Sequence, residues 1–451
     1  MTATGRLTEP RQFPQDVRRD YRTIVRGSGI RVWDSEGREY IDADSGAISV
    51  ISIGHGVAEV AEAMAEQAKQ LAYVHDAQFQ HAVAEELAAE VADFAPGDLN
   101  RSAFVSGGSE AVETAVKLAR HYHVLRGRDS RHVVLSRDRS YHGATVFTLS
   151  LGGVPKRQAP YRPYLQGHTK VVAPYCYRCP LGLTYPSCDN ACATDLERAL
   201  AEVGPENVSA FIAEPLVGAA GPAITPQPGY YERIRELCDR HDILWIADEV
   251  ITGFGRTGRN FGVDHWGVTP DVIVTAKGLA GGYAPLGAVI MTDAVADTFI
   301  DAGTSFTHDL TYGGHPVTCA AGLAVLRIIK RDGLVANAAE QGAYLSQCLR
   351  ELAARHDVIG DVRGKGLLVA VELVADRATG RPFAAELELT RRLHLAAQDR
   401  GLMIYPGAGG DGVVGDQVII SPPLIVQRED VDEIVARFEQ ALEDVLQIVD
   451  R

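Results

Sequence analysis

The sequence predicts an α/β fold: a large domain on a mostly parallel central sheet flanked by helices, joined to a smaller α+β domain. Three observations predict it. Short apolar runs recur at His132–Leu135, Val208–Ala213, Ile243–Ala247, Val272–Thr275 and Leu286–Met291, each bounded by Gly, Pro or Asp. The runs are continuous rather than alternating, which suits strands covered on both faces. Segments of helical spacing lie between them, and after about Gly333 the alternation gives way to a few strands and long helices.

Taken in order, Tyr21–Tyr40 reads as short strands with turns at Gly27 and Gly37. Val57–Val74 and His81–Phe94 repeat apolar residues at helical intervals. Ser102–Val105 is a short strand that opens onto a helix over Glu110–Leu125, and a second such helix covers Tyr230–His241. Beyond Gly333, Gly366–Leu373 reads as a strand, Glu386–Arg400 as a helix, Val418–Ile420 as a strand and Asp430–Val449 as a helix with a solvated acidic face. There is no internal repeat and no low-complexity linker.

Composition narrows the function classes. The 451 residues are 46% hydrophobic and 23% charged, which are globular values, and the net charge is −15. An acidic chain without a basic tract is a poor ligand for nucleic acid or an anionic membrane. No stretch approaches the roughly 18 apolar residues of a membrane span, and the opening MTATGRLTEPRQFPQD lacks the apolar region of a signal peptide. A cytoplasmic protein is expected. Four of seven cysteines (Cys176, Cys179, Cys188, Cys192) fall together as Cys-x2-Cys-x8-Cys-x3-Cys. That spacing is compatible with structural zinc, and reduced interior thiols are the alternative. His121 and His123 sit two apart on one helix and make no i,i+4 metal pair.

Three motifs bear on chemistry. Gly253-Phe-Gly255-Arg-Thr-Gly258 matches the dinucleotide fingerprint, but Asn260–Pro270 carries Gly262, Gly267 and Pro270, so no long helix follows. Gly107-Gly108-Ser109-Glu110-Ala111 is close to the nucleophile elbow of hydrolases, with Asp248 and His315 as conceivable partners of Ser109. The same loop presents backbone N–H groups at a helix N-terminus, which binds phosphate at least as naturally. Lys277 and Asp248 each directly follow a buried strand, where α/β sheets place their sites. A lysine among Gly, Ala and Leu suits a Schiff base, and an aspartate suits pairing with a protonated pyridine nitrogen. Phosphate anchor, electronic tuner and covalent tether together match pyridoxal 5′-phosphate.

These residues extend into a resemblance over nearly the whole chain. IGHG (Ile53–Gly56), FVSGGSEAVETAVKLAR (Phe104–Arg120), SYHG (Ser140–Gly143), AEP (Ala213–Pro215), ADEVITGFGRTG (Ala247–Gly258), PDVIVTAKGLAGGYAPLGAV (Pro270–Val289) and TYGGHP (Thr311–Pro316) resemble, in order, class III (ω-type) aminotransferases of PLP fold type I. The resemblance implies a large cofactor domain over 57–328 and a small domain assembled from 1–56 and 329–451. It implies Lys277 as the Schiff-base lysine and proton carrier, and Asp248 on the pyridine nitrogen. Gly108 and Ser109 would hold the phosphate with Thr311 of the neighbouring subunit, which makes the protein a homodimer. Tyr141, supported by His142, would cover one ring face and Val250 the other, and Glu214 would line the site. It assigns no metal to catalysis.

Three positions depart from the family pattern. Ile251 stands where many members carry Gln, and Ser49 where related amine:pyruvate enzymes often carry Trp. Tyr405 replaces the arginine expected after Gly401-Leu-Met-Ile. Without it a substrate carboxylate loses a bidentate partner. The Gly-rich loop Gly407–Gly415 would supply other donors, or the donor is a simple amine. The expected activity is ping-pong transfer of an amino group from an amine or amino acid to a 2-oxo acid, aldehyde or ketone. Epimerisation, aminomutation or decarboxylation on the same fold, and a serine hydrolase using Ser109, are the alternatives; intact Lys277 and Asp248 argue against a non-catalytic scaffold.

Overall fold

The computed structural model describes residues 11–449 apart from 18, 408 and 410–413. Its centre is a seven-stranded sheet in the order Arg101–Val105, Gly287–Met291, Val272–Thr275, Leu244–Asp248, Val208–Ala213, Val133–Arg137, Lys170–Val171. From Val272–Thr275 to Lys170–Val171 every pairing is parallel. Val208–Ala213 and Leu244–Asp248 are buried at every residue, as their unbroken apolar runs require. The run ending at Met291 is the exception to the parallel reading: it pairs antiparallel with both neighbours. Burial on both faces makes an apolar run whatever its direction, so hydrophobicity could not reveal the reversal.

The helix Gly108–Leu125 buries Ala111, Val112, Ala115, Leu118 and Ala119, one stripe at helical spacing. The helix predicted to reach Val74 stops at Gln70. Past that point Leu71 and Tyr73 are exposed, so the continuing apolar pattern does not serve this chain's own core.

Both chain ends meet in a second sheet, where Ile24–Ser28, Arg31–Asp34 and Glu39–Asp42 form an antiparallel run and Leu402–Met403 adds in parallel. Gly27 is not a turn. It lies inside the first strand, and the turn falls at Gly29, whose φ is 57°. A side chain at 27 would put its Cβ 2.7 Å from that of His55, so close approach accounts for the glycine. A third, antiparallel sheet orders Ile359–Lys365, Leu368–Leu373, Asp416–Ile420 and Tyr405–Pro406. The helix expected over Glu386–Arg400 begins only at Leu389.

Between the second sheet and the large one, Ser45, Gly46, Ala47, Ile48 and Ser49 all have positive φ, from 54° to 74°. Four of them are non-glycine, so the segment is strained and must be held by its surroundings. Asp42 accepts from the Gly46 amide at 2.8 Å and Asp44 from the Ala47 amide at 2.9 Å. Arg256 donates to Ser45 Oγ and to the Ile51 carbonyl, each at 3.2 Å.

Candidate active site

The predicted residues converge where the parallel strands end. Glu214 follows Val208–Ala213, Asp248 closes Leu244–Asp248, Lys277 comes two residues after Val272–Thr275, and Tyr141 and His142 lie in the loop after Val133–Arg137. The parallel arrangement brings these ends to one edge of the sheet.

At the centre, His142 Nδ1 donates to Asp248 Oδ2 at 2.7 Å with both side chains buried. The other Asp248 oxygen accepts from the Val250 amide at 3.2 Å. Glu214 accepts from the Tyr141 amide at 2.9 Å and from Gly218 at 2.7 Å. Burial pushes its carboxyl pKa up, and neighbouring Asp248 adds to the rise against His142 and the two amides. Lys277 is half-buried, with a φ of 42° that lysine rarely adopts. Burial lowers its pKa to about 8, against the pull of Asp248 and Glu214.

The helix N-terminus at Gly108 supplies the second half of the site. Its first amides have no intrahelical acceptor, and Ser109 Oγ accepts from the Ala144 amide at 3.0 Å. Gly143 has φ 141°, and a Cβ there would lie 2.7 Å from Ser109 Oγ. A Cβ at 108 would sit 3.0 Å from Val250 Cγ1, so the glycine keeps the loop against the valine. This is an anion cradle of backbone and hydroxyl groups. The hydrolase assignment fails on geometry: Asp248 is paired with His142, and His315 caps the helix Pro316–Arg331.

Among the remaining predicted residues, Tyr405 and Tyr141 lie within electrostatic reach of one another. Ser49 is buried on the left-handed segment, its hydroxyl without a partner among the described residues. Thr311 stands apart. It is exposed, and its carbonyl accepts from the Tyr73 hydroxyl at 2.6 Å. Of the Gly-rich loop, residues 408 and 410–413 lie outside the described residues.

Two residues were not anticipated. Glu249 is fully buried, accepts from the Gly262 and Val263 amides at 2.8 Å and from the Thr252 hydroxyl, and burial pushes its pKa up to about 7. It folds the Gly253–Gly258 motif back as a coil rather than a helix start. Gly258, at φ 80°, lies so close to the helix Leu334–Arg355 that a Cβ would be 2.7 Å from Ala339 Cα. Arg256, inside the same motif, is buried and donates to four oxygens: Leu367 O, Pro422 O, Ser45 Oγ and Ile51 O. An arginine between glycines after a buried strand was the available signal.

Cys176, Cys179, Cys188 and Cys192 line one small cavity, and all are free thiols. Among the described residues, no three of their sulfurs lie within 4.8 Å of one another. His123 is buried against the Ser209 carbonyl, and His121 meets the edge of Phe299.

Residues 13–442 match the family model for class III aminotransferases. The aminotransferase YodT of Bacillus subtilis is 40% identical over 423 residues, 94% of this chain and 95% of YodT. The putrescine–pyruvate aminotransferase of Pseudomonas aeruginosa is 36% identical over 94% of this chain and 90% of its own. The crystal structure of an (S)-enantioselective ω-transaminase from Thermomicrobium roseum superposes with a TM-score of 0.90 at 39% identity, covering 97% of this chain and 96% of that one. With the motifs, the sheet order and the strand-end site in agreement, the chain belongs to the class III aminotransferases.

Proposed function

We propose that this aminotransferase works with Lys277, Asp248 and Glu214 as its catalytic residues and Gly108, Ser109, Tyr141, His142, Val250 and Thr311 as further cofactor contacts. The observation that carries the reading is the buried Asp248–His142 pair at 2.7 Å, beside a lysine whose pKa is lowered to about 8.

The family's cofactor is pyridoxal 5′-phosphate. The donor set fits it: an anion cradle at Gly108 and Ser109, a fixed carboxylate at Asp248, and an amine at Lys277. His142 Nε2 is also buried without a partner among the described residues. When bound, the cofactor supplies an electron-withdrawing ring that stabilises negative charge at the substrate carbon.

The chain's own residues do the rest. With a pKa of about 8, roughly one Lys277 amine in ten is unprotonated at pH 7, against roughly one in three thousand for an ordinary lysine. That neutral fraction is the form of Lys277 that would tether the cofactor and would accept and return the proton at the substrate carbon. Asp248, fixed by His142 and the Val250 amide, holds the proton at the ring nitrogen. Tyr141 and Val250 would hold the ring, and Glu214, held by two amides, would line the site beside it.

The division at 57–328 against 1–56 and 329–451 belongs to the same reading, supported by the sheet that joins the two chain ends. So does a homodimer in which Thr311 completes the partner's site. In support, Thr311 lies beside an exposed aromatic group, Tyr73 and Tyr312, whose ring centroids are 6.1 Å apart. A cytoplasmic location is favoured by seven free cysteines, and no described helix is long and apolar enough to cross a membrane.

The test is one half-reaction. An amine donor and the holoenzyme alone should give keto product in proportion to enzyme, with loss of the cofactor's visible band. Lys277→Ala should abolish both. Catalytic epimerisation without keto product would overturn amino transfer as the activity.

A further inference from the structure

A 2-oxo acid or an α-amino acid carries a carboxylate that must leave bulk water and find a cation. The site's core offers none to spare, because Lys277 faces Asp248 and Glu214 and is needed for the chemistry. The arginines nearby are committed. Arg256 is buried on four oxygens, and Arg137 donates to the Glu214 carbonyl and the Tyr231 hydroxyl. Arg178 is bound to Glu372, and Arg363 holds Asp361, Glu372 and the Pro222 carbonyl. Arg139 is half-buried and lies over the Tyr175 ring, at 5.8 Å, rather than over Tyr141.

Arg157 differs. It is exposed, and among the described residues its guanidinium has no carboxylate or carbonyl partner. It lies 4.8 Å from the centroid of the Tyr141 ring. Tyr141 is the residue whose amide is held by Glu214 and whose neighbour His142 holds Asp248, so the arginine lies over the ring of a residue tied by its backbone to both site carboxylates. Tyr405 is also within electrostatic reach of the Tyr141 hydroxyl, which makes Tyr141 the common neighbour of Arg157 and Tyr405.

The local fold fixes where this side chain starts. Pro155 opens the short helix Pro155–Gln158, and Gln158 Nε2 clamps it to the Leu149 and Gly152 carbonyls at 2.9 and 2.8 Å. Val154 packs with Tyr141 against Tyr175 and Val217. The backbone is therefore anchored while the guanidinium stays free. Stacking on an aromatic face orients the planar fork without consuming its N–H donors.

We propose that Arg157 is the carboxylate-binding residue of this site, engaging the carboxylate of a 2-oxo acid acceptor or α-amino acid donor beside Tyr141 and Tyr405. Simple amines and aldehydes use the same space without it. The inference rests on the aminotransferase reading and names the substrate class for it. A long, exposed side chain also suits a pocket that must accept charged and uncharged partners in alternate half-reactions.

The experiment uses holoenzyme of wild type, Arg157→Ala and Arg157→Lys. The first measurement needs no turnover: propionate is titrated while the cofactor's visible band is followed. Wild type should bind it, Arg157→Ala should bind about 10- to 100-fold more weakly, and Arg157→Lys should fall between. The second is the ratio of kcat/KM for pyruvate to that for propanal, which should fall about 10- to 100-fold in Arg157→Ala. An unchanged ratio and unchanged propionate affinity would overturn the proposal, as would a wild type that uses aldehydes but no 2-oxo acid. A wild type that transfers to neither acceptor would overturn the aminotransferase reading, while the propionate titration would still judge Arg157.

Discussion

Replacing Lys277 by methionine should make the cofactor-free protein more stable at neutral pH, while removing the amine proposed to carry the activity. Methionine keeps much of the side chain's length and packing and removes the ammonium. In the folded chain burial lowers the Lys277 pKa from 10.5 to about 8, a change worth about 3 kcal/mol. The sign follows from proton counting. Below pH 8 the amine is charged in both states, and the folded state bears the whole desolvation cost. Between about 8 and 10.5 the folded state has released its proton while the unfolded state keeps it, so wild-type stability rises with pH. Above 10.5 both are neutral and the cost is gone. Because Lys277 is only half-buried, solvent screens part of that cost, and the expected advantage of methionine at pH 7 is about 1–3 kcal/mol. Urea unfolding of both cofactor-free proteins at intervals from pH 7 to 11 measures it. The difference should shrink by as much as about 1.4 kcal/mol per pH unit across the window and vanish near pH 11. A variant no more stable than wild type at pH 7, or a difference flat from pH 7 to 10.5, would refute a desolvated lysine.

The other predictions concern parts around it. Gly143→Ala places a methyl group 2.7 Å from Ser109 Oγ at φ 141°; cofactor affinity in an absorbance titration should drop about 10- to 100-fold, and an unchanged affinity would separate Ser109 from the phosphate. Glu372 is buried with Arg363 at 2.8 Å, Arg178 at 2.5 Å, Gln417 at 2.9 Å and the Tyr175 hydroxyl, so Glu372→Gln should cost about 3–5 kcal/mol in urea unfolding. Burial raises the Glu372 pKa, but Arg363, Tyr175 and Arg178 outweigh it and the net shift is downward. Its contribution is thus present above the ordinary glutamate pKa and is lost as pH falls through the lower folded value. At the cysteine cluster burial pushes Cys192 up to about 12 and raises Cys176, and among the described residues no three of the sulfurs lie within 4.8 Å of one another. Elemental analysis should find reduced thiols without stoichiometric zinc; one zinc per chain that survives dialysis and is lost in Cys188→Ser would reverse this.

What the sequence disclosed and what it withheld differ in physical kind. Lys277, Asp248 and Ser109 were legible because each is a residue type with an unusual cost or use, placed directly after a buried strand or before a helix. Local chemistry declares such positions. Gly253–Gly258 matches a fingerprint that its context rules out, because glycine spacing records only that backbone must approach something closely. Here it approaches Ala339, some eighty residues away, and not a pyrophosphate. The left-handed segment Ser45–Ser49 had no signal at all. Its φ values are sustained by Asp42, Asp44 and the distant Arg256, and no propensity of Ser, Ala or Ile foretells them. The reversal of Gly287–Met291 was hidden for a related reason, since a strand buried on both faces has the same composition in either direction.

That reversal is also what makes the anion cradle possible. A parallel strand beside Arg101–Val105 would end at the site and bring its own loop into the space above Gly107. The antiparallel strand instead begins there, and Gly287 at its start sits so close that a Cβ would lie 3.0 Å from the Gly107 carbonyl carbon. Two glycines in contact, Gly107 and Gly287, let the helix Gly108–Leu125 start flush against the sheet. Val250, just past the end of Leu244–Asp248 three strands along the sheet, packs on Gly108, so the cradle and the carboxylate of Asp248 are tied by one run of backbone. The spacing between the proposed phosphate anchor and the proposed ring-nitrogen partner is therefore a property of the sheet. The residues proposed to recognise the substrate, Tyr405, Ser49 on the left-handed segment and Arg157, all lie on elements outside that sheet. Chemistry on the sheet and specificity at its rim can then vary independently.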